Sequence, residues 1–333
     1  MKVVLTGATG FLGANLARLL VRRGDEVRCI VRRPNACTEG LPVSLHTEPM
    51  LDTPAAVDAL ARVLDGCDGI YHLAGTFDPG PGGLRRMRAV HVYATRALLR
   101  AADKAGVRRM VLCSSSITVG FGSLAAPGDE DTPLDPDALF GRGTAMRGYY
   151  DTKRQAEHLG AAWGSVEVVT VNPDYIIGPW DVKPTSGQLI VAVGRRRMPV
   201  YPQGGKCFQR AEDTALGHVL AMERGKPGRR YLLGSHNLKY RAFLGLVADE
   251  IGARPPMFPL PDVAVRAAGR AGSWLQSRDP HRFAGMDARV LRAMQQDRFR
   301  TGARAEMELG LKPSPIELGI KEAVQWFTEH GYF

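Results

Sequence analysis

The sequence predicts an α/β fold, a doubly wound parallel sheet with a smaller C-terminal lobe, and three observations predict it. The chain begins with a short apolar run, Lys2–Thr6, that leads into the glycine-spaced stretch TGATGFLG and then into an amphipathic run. From there to about Val171 the hydrophobic period alternates between that of a strand and that of a helix, the pattern of parallel strands joined by crossover helices. After Gly178 the rhythm breaks at prolines 179, 184, 199 and 202, and shorter strands, helices and proline-rich loops follow.

Taken in order, residues 2–6 are the first strand and residues 11–23 the first helix, stopped by Gly24. Residues 26–31 form a second strand. Asp52 or Thr53 can cap a helix with Pro54 in its first turn, where a missing N–H costs nothing, that runs through Leu64 and ends near Gly66. Residues 69–74 are a strand, residues 84–105 a helix closed by Gly106, and RRMVLCS the next strand. A helix over residues 149–163 and a strand over 166–171 complete the alternation, and RRYLLG near Arg230 supplies a later strand. Residues 1–177 are therefore expected to form the main domain, with returns at about 205–235. Residues 178–204 and 236–333 are expected to form the lobe.

Composition excludes several classes of function. With 333 residues, 44% of them apolar, the chain can bury a large core. No uncharged apolar run approaches the ~18 residues of a membrane helix, so neither secretion nor a membrane partner is expected. Five cysteines without CxxC pairing or neighbouring histidines read as reduced and cytoplasmic, and no metal site is expected. The net charge of +10 invites a nucleic-acid reading, best supported by VGRRRMP. The arginines are nevertheless spread over every segment without interleaved aromatics, so a solvated basic surface and anionic small molecules fit better than nucleic acid.

The opening glycines carry the first chemistry. Gly7 permits a tight strand-to-helix turn, Gly10 lets backbone approach a pyrophosphate, and Gly13 lets the helix pack against the sheet. Unpaired N–H groups at the helix start then face the phosphates, so the fold is a Rossmann sheet holding a dinucleotide. The second strand ends CIVRRP, with Arg32 and Arg33 where a carboxylate would select NAD and no acid before Glu39. A 2′-phosphate suits arginine, and NADP(H) is the expected cofactor.

The second chemistry lies in SSSITVG and GYYDTKRQAE. Tyr149 and Lys153 are four apart on an expected helix and share one face. A phenol titrates near ~10 by itself, so proton exchange near neutrality calls for a nearby cation, which Lys153 supplies. Ser115 or Ser116, in the loop after a strand, can hold the substrate oxygen.

Together these residues resemble the extended short-chain dehydrogenase/reductase superfamily. The resemblance spans nearly the whole chain, through the three glycines, HLAG at residues 72–75, SSS at 114–116, Tyr149 and Lys153, and NPDYIIGP at 172–179. VRCIVRRP, VNPDYIIGPWDVKPT and GHVLAMERGKPGRRYLLG resemble its dihydroflavonol-reductase-like branch and bacterial proteins labelled hopanoid-associated sugar epimerases. The resemblance implies hydride transfer with Tyr149 as acid/base, Ser116 polarising the carbonyl and Lys153 on the nicotinamide ribose. It also implies cofactor contacts from Thr6, Phe11, Leu12, Leu73, Ala74 and Gly75, with Pro173 and Ile176 lining the nicotinamide pocket. His91 stands where relatives carry an asparagine, either as a modified proton relay or as a satisfied helix-facing histidine. Tyr175 replaces an asparagine for a nucleotide diphosphate, and Ile117 and Thr118 replace the acidic pair of a dehydratase, so nucleotide sugars fall in rank. Residues 77–87, the loop 121–147 with Phe140 and Met146, and Thr118, Tyr175, Met198 and Phe208 are the expected substrate pocket. The expected reaction is NADPH-dependent reduction of a small, largely apolar ketone, with sugar epimerisation and redox sensing as alternatives. A homodimer through the helices that carry Leu98 and Tyr149 follows from fold analogy.

Overall fold

The computed structural model describes residues 1–279 and 292–333, so positions 280–291 of the expected lobe lie outside the described residues. Seven parallel strands form the main sheet: β1 (Lys2–Thr6), β2 (Glu26–Ile30), β3 (Ser44–His46), β4 (Gly69–His72), β5 (Arg109–Cys113), β6 (Glu167–Pro173) and β10 (Arg230–Leu233). Their spatial order is β10-β6-β5-β4-β1-β2-β3, so the chain reverses direction across the sheet between β1 and β4. Ligands of such sheets bind beyond the carboxyl ends of the strands at that reversal.

Each face of the sheet is buried by its own helices. On one, Val3 and Leu5 of β1 pack with Leu16 and Leu20 of α1 (Phe11–Arg22) and with Val219 of α8 (Ala211–Arg224). On the other, Val4 packs with Leu60 of α2 (Pro54–Leu64), Leu98 of α4 (Ala94–Ala105) and Ala156 of α6 (Ala145–Ala161). Thr53, not Asp52, caps α2: its side chain accepts the Ala56 N–H, and Pro54 occupies the first turn. The helix expected over residues 84–105 is one rod of three parts, α3 (Gly83–Arg88), a π-turn (Ala89–Tyr93) and α4.

The second layer departs from the expected boundaries. β7 (Tyr175–Ile177) leaves the main sheet and pairs with β9 (Gly205–Arg210), which also pairs with β11 (His236–Lys239) and β13 (Asp297–Arg298). The return from the lobe to the main sheet therefore begins with α8, not at residue 205. Ala305, Leu309 and Leu311 pack into the core of the main sheet, so this part of the expected lobe returns as well. Short strands are assigned by their partners, and these partners lie tens of residues away. β8 (Val200–Tyr201) pairs with β12 (Phe258–Pro259), and α7 (Gln188–Gly194) packs on α9 (Tyr240–Ile251).

The lobe has its own core, built on Phe208, Phe243 and Phe327, with Ile320 and Phe327 supplied by α11 (Ile316–Glu329). Phe208 is fully buried and stacks on Phe243 with ring centroids 4.1 Å apart. It is therefore a core residue and does not line the substrate pocket, contrary to the sequence expectation. Phe208→Ala is expected to cost about 3–5 kcal/mol of stability, read as a lowered denaturant midpoint. A loss under about 1 kcal/mol would return Phe208 to the pocket.

Candidate active site

The glycine turn separates what the protein needs from what a ligand needs. Gly7 has φ +81°, and a Cβ there would stand 2.8 Å from the Ala74 nitrogen. A Cβ on Gly13 would stand 2.0 Å from the Gly7 oxygen, so both glycines are demanded by the fold. Gly10 differs: at φ −103° any residue is allowed, and a Cβ would meet nothing nearer than the Gly7 oxygen at 3.4 Å. Nothing within the protein requires glycine there, which fits a phosphate lying against it. No acid and no side-chain cap occupies the first turn of α1, so its N–H groups stay directed at that space. Phe11 and Leu12 are half-buried beside them, Leu12 against the core. Because Thr6 pairs in register with Ile30, the end of β2 lies beside the turn and carries Arg32 and Arg33, both exposed.

A directed chain of hydrogen bonds joins this turn to the Tyr149 helix. The Ala74 N–H donates to Thr6 Oγ1 at 3.1 Å, and Thr6 Oγ1 lies 2.7 Å from His72 Nδ1. His72 Nε2 lies 3.0 Å from Thr95 Oγ1, whose hydroxyl donates to the His91 carbonyl at 2.5 Å. The Thr95 proton is thus committed, so His72 carries its proton on Nε2 and accepts at Nδ1. His91 is fixed in the same way. Its Nε2 accepts the Thr76 N–H at 3.1 Å, so Nδ1 carries the proton and faces Thr152 Oγ1 at 2.8 Å, which donates to the Gly148 carbonyl at 2.8 Å. The π-turn sets His91 in this position, and such turns recur at functional sites.

Burial, with the Lys153 ammonium adding to it, pushes the pKa of His91 down to about 2 and of His72 to about 3. The Nε2 partner of His91 is a backbone N–H, which does not give up its proton, so in this arrangement the ring anchors the Thr76 backbone and packs against Tyr149. The Tyr149 ring stands edge-on to His91 at 5.4 Å and to Phe77 at 5.8 Å. Lys153 is buried, donates to the Cys113 carbonyl at 3.0 Å and lies 6.0 Å from the Tyr149 ring centre. A Cβ on Gly75 would come within 3.2 Å of its Nζ, so the HLAG segment runs directly over the lysine.

The serine loop is held from α6 by a residue the sequence reading missed. Glu157 is buried; its Oε1 accepts from Ser114 Oγ at 2.5 Å, Thr118 Oγ1 at 2.7 Å and Asn172 Nδ2 at 2.8 Å, while Arg154 donates to Oε2 at 2.5 Å. One carboxylate thus grips both ends of the loop. Its spacing of four from Lys153 was the available signal. Ser115 caps the 3-10 turn Ser116–Thr118, its Oγ accepting the Ile117 N–H at 3.3 Å, which leaves Ser116 as the hydroxyl without a structural duty. Thr118, expected to touch substrate, is instead buried, its single hydroxyl proton directed between Glu157 and the Ser115 carbonyl.

The other expected pocket residues divide. Tyr175 is partly buried against the lobe core; its hydroxyl donates to the Ser186 carbonyl at 3.1 Å, and burial pushes its pKa well above that of a free phenol. Met198 also packs on the lobe core and Phe140 is buried, while Met146 is half-exposed in the first turn of α6. Leu73, Ala74 and Ile176 are half-buried and Pro173 is buried at the end of β6. All five cysteines are free, and among the described residues no group of acidic, histidine or cysteine side chains could hold a metal.

The model of the NAD dependent epimerase/dehydratase family matches residues 3–234, from the glycine turn through the Tyr149 helix to β10. The chain belongs to that family. Epimerase/dehydratase family members of this extended short-chain dehydrogenase/reductase kind are nicotinamide-dependent, and the chain is one of these oxidoreductases. It is 32% identical to a putative dihydroflavonol 4-reductase of Synechocystis, over 98% of this chain and 95% of the relative. It is also 32% identical to sterol demethylase protein B of Methylococcus capsulatus, over 99% of both. The crystal structure of gox2253 superposes with a TM-score of 0.83 at 30% identity, covering 100% of this chain and 99% of the other.

The buried histidines make the site sensitive to acid. Burial also pushes His218 down to about 4. An unfolded histidine binds a proton near ~6.5, so below that pH the unfolded state binds more protons and stability falls as pH drops. The contribution is complete above ~6.5 and is lost progressively toward the folded-state values. Urea midpoints measured from pH 7 to pH 5 are expected to decline, with a proton uptake on unfolding that rises from under about one at pH 7 to about three near pH 5. A flat profile would show that these histidines are not held neutral.

Proposed function

We propose that the chain is an NADPH-dependent reductase of an apolar, flat or alicyclic ketone, with Tyr149 as the proton donor. The observation that carries this reading is the wall of the site: Phe77 is 41% exposed and stands edge-on to Tyr149, with half-exposed Met146 on the same helix. Such a wall suits an apolar ring, worth about 25 cal/mol per Å² removed from water. The names of the relatives, a putative dihydroflavonol 4-reductase and a sterol demethylase protein B, support the same substrate class.

The cofactor, when bound, supplies a hydride to the carbonyl carbon. The turn from Gly7 to Gly13 and the start of α1 hold its pyrophosphate, Arg32 and Arg33 its 2′-phosphate, and Lys153 its nicotinamide ribose. Leu73, Ala74, Gly75, Pro173 and Ile176 bound the same cleft. Tyr149 gives its phenolic proton to the substrate oxygen, Ser116 Oγ donates a hydrogen bond to that oxygen, and the Lys153 ammonium stabilises the negative charge left on the phenol. Tyr175 has its hydroxyl engaged with Ser186, which supports an apolar pocket over a site for a nucleotide diphosphate.

Tyr149→Phe removes one oxygen and keeps the ring against His91 and Phe77. Turnover should fall roughly 100-fold or more, while NADPH binding and melting temperature stay near those of the parent. Turnover within about threefold of the parent would assign the proton to another group. For cofactor choice, NADPH should bind more tightly than NADH, and Arg32→Ala should remove most of that difference without weakening NADH. Equal affinities in the unmodified protein would overturn the assignment.

A further inference from the structure

A helix on a protein surface ordinarily turns its apolar stripe inward and its charges to water. α10 (Asp262–Arg278), in the second layer, does both, yet keeps further apolar residues among the charges of its outer face. It buries Val265, Gly269 and Gly272, and turns outward Val263, Arg266, Ala267, Ala271, Trp274 and Arg278, positions that fall on one face at helical spacing. Val263 is 65% exposed and Trp274 55%, and the approach to the helix adds Met257 at 67% and Phe258 at 61%. Between Asp262 and Asp279 the sequence holds no acidic residue. Arg278 lies with its guanidinium 4.0 Å from the centre of the Trp274 ring.

We propose that this face docks on the surface of a lipid bilayer that contains anionic headgroups. Apolar side chains that include a tryptophan, set among arginines on one helix face, match the interfacial plane of a membrane, where rings lie at headgroup depth and guanidinium groups reach the phosphates. The charge decides the occupant. A second copy of the same face would set arginine against arginine, whereas an anionic bilayer complements both the arginines and the net charge of +10. The docking is peripheral: among the described residues no helix is long and apolar enough to cross a membrane. It departs from the sequence expectation of no membrane partner, because surface attachment needs an exposed seam, not a long apolar run. Its purpose rests on the proposed apolar ketone, which would partition into the bilayer and reach the lobe from there.

The test uses the full chain and needs no substrate, so its outcome is independent of whether the reductase reading holds. The protein is sedimented with vesicles of phosphatidylcholine alone and of phosphatidylcholine with one third phosphatidylglycerol. Binding is expected only to the anionic vesicles, weakening as salt is raised. The double variant Val263→Glu with Trp274→Glu should lose at least tenfold in bound fraction while its melting temperature and NADPH affinity stay unchanged. Arg278→Gln, which leaves the apolar seam in place, should lose part of the binding and part of the salt dependence. No binding to anionic vesicles, or equal binding by the double variant, would overturn the proposal. So would a concentration-dependent dimer that the double variant abolishes in the absence of vesicle binding, since the face would then serve a second copy.

Discussion

The neutrality of His72 and His91 is the constraint on which the site depends. Each accepts one hydrogen bond and donates another, and an imidazolium would have two donors and no acceptor. Burial beside the Lys153 ammonium enforces the neutral form, and the neutral form in turn fixes which nitrogen faces which neighbour. The result is two directed runs of donors and acceptors that meet at His91: one from the Ala74 N–H through Thr6, His72 and Thr95 to the His91 carbonyl, the other from the Thr76 N–H through the His91 ring and Thr152 to the carbonyl of Gly148. The glycine turn and the first turns of the Tyr149 helix are thereby tied together through imidazoles that burial keeps neutral.

A second tie runs through Glu157. Placed one helical turn beyond Lys153, it holds Ser114, Thr118 and Asn172 with a single carboxylate oxygen, and so sets the serine loop relative to the helix that carries the phenol and the ammonium. Preorganised hydrogen-bond donors do their work only if they need not move when charge develops. The glycine turn, the serine loop and the Tyr149 helix are three separate segments, and the two buried networks hold them in one frame.

What could be read from the sequence was what is local. The turn at Gly7, Gly10 and Gly13, the strand that precedes it and the pairing of Tyr149 with Lys153 depend on spacings of a few residues, and the sheet follows from the alternation of periods. Phe208 and Thr118 were misread because an apolar or hydroxyl residue in a short strand or loop has no local mark that separates packing from contact; Phe243 and Glu157 settle the matter from 35 and 39 residues away. Residues 175–177 and 205–210 were placed with the main domain because the sheet that a short strand joins is decided by distant partners. His91 stood out as a departure, but its role turned on Thr76 and Thr152, and only the folded chain brings both to one ring.

The π-turn at Ala89–Tyr93 has a consequence for the phase of the rod that contains it. One extra residue per turn rotates everything on its far side by about 100° relative to a regular helix. The apolar positions of α3 and α4 therefore belong to two different helical wheels, although the chain stays helical from Gly83 to Ala105. A deletion of a single residue there would restore a regular helix and, in doing so, swing either the α3 contacts with α6 or the Leu98 face out of the core. The irregularity acts as a phase shifter: it lets one continuous rod satisfy the sheet at one end and the active site at the other.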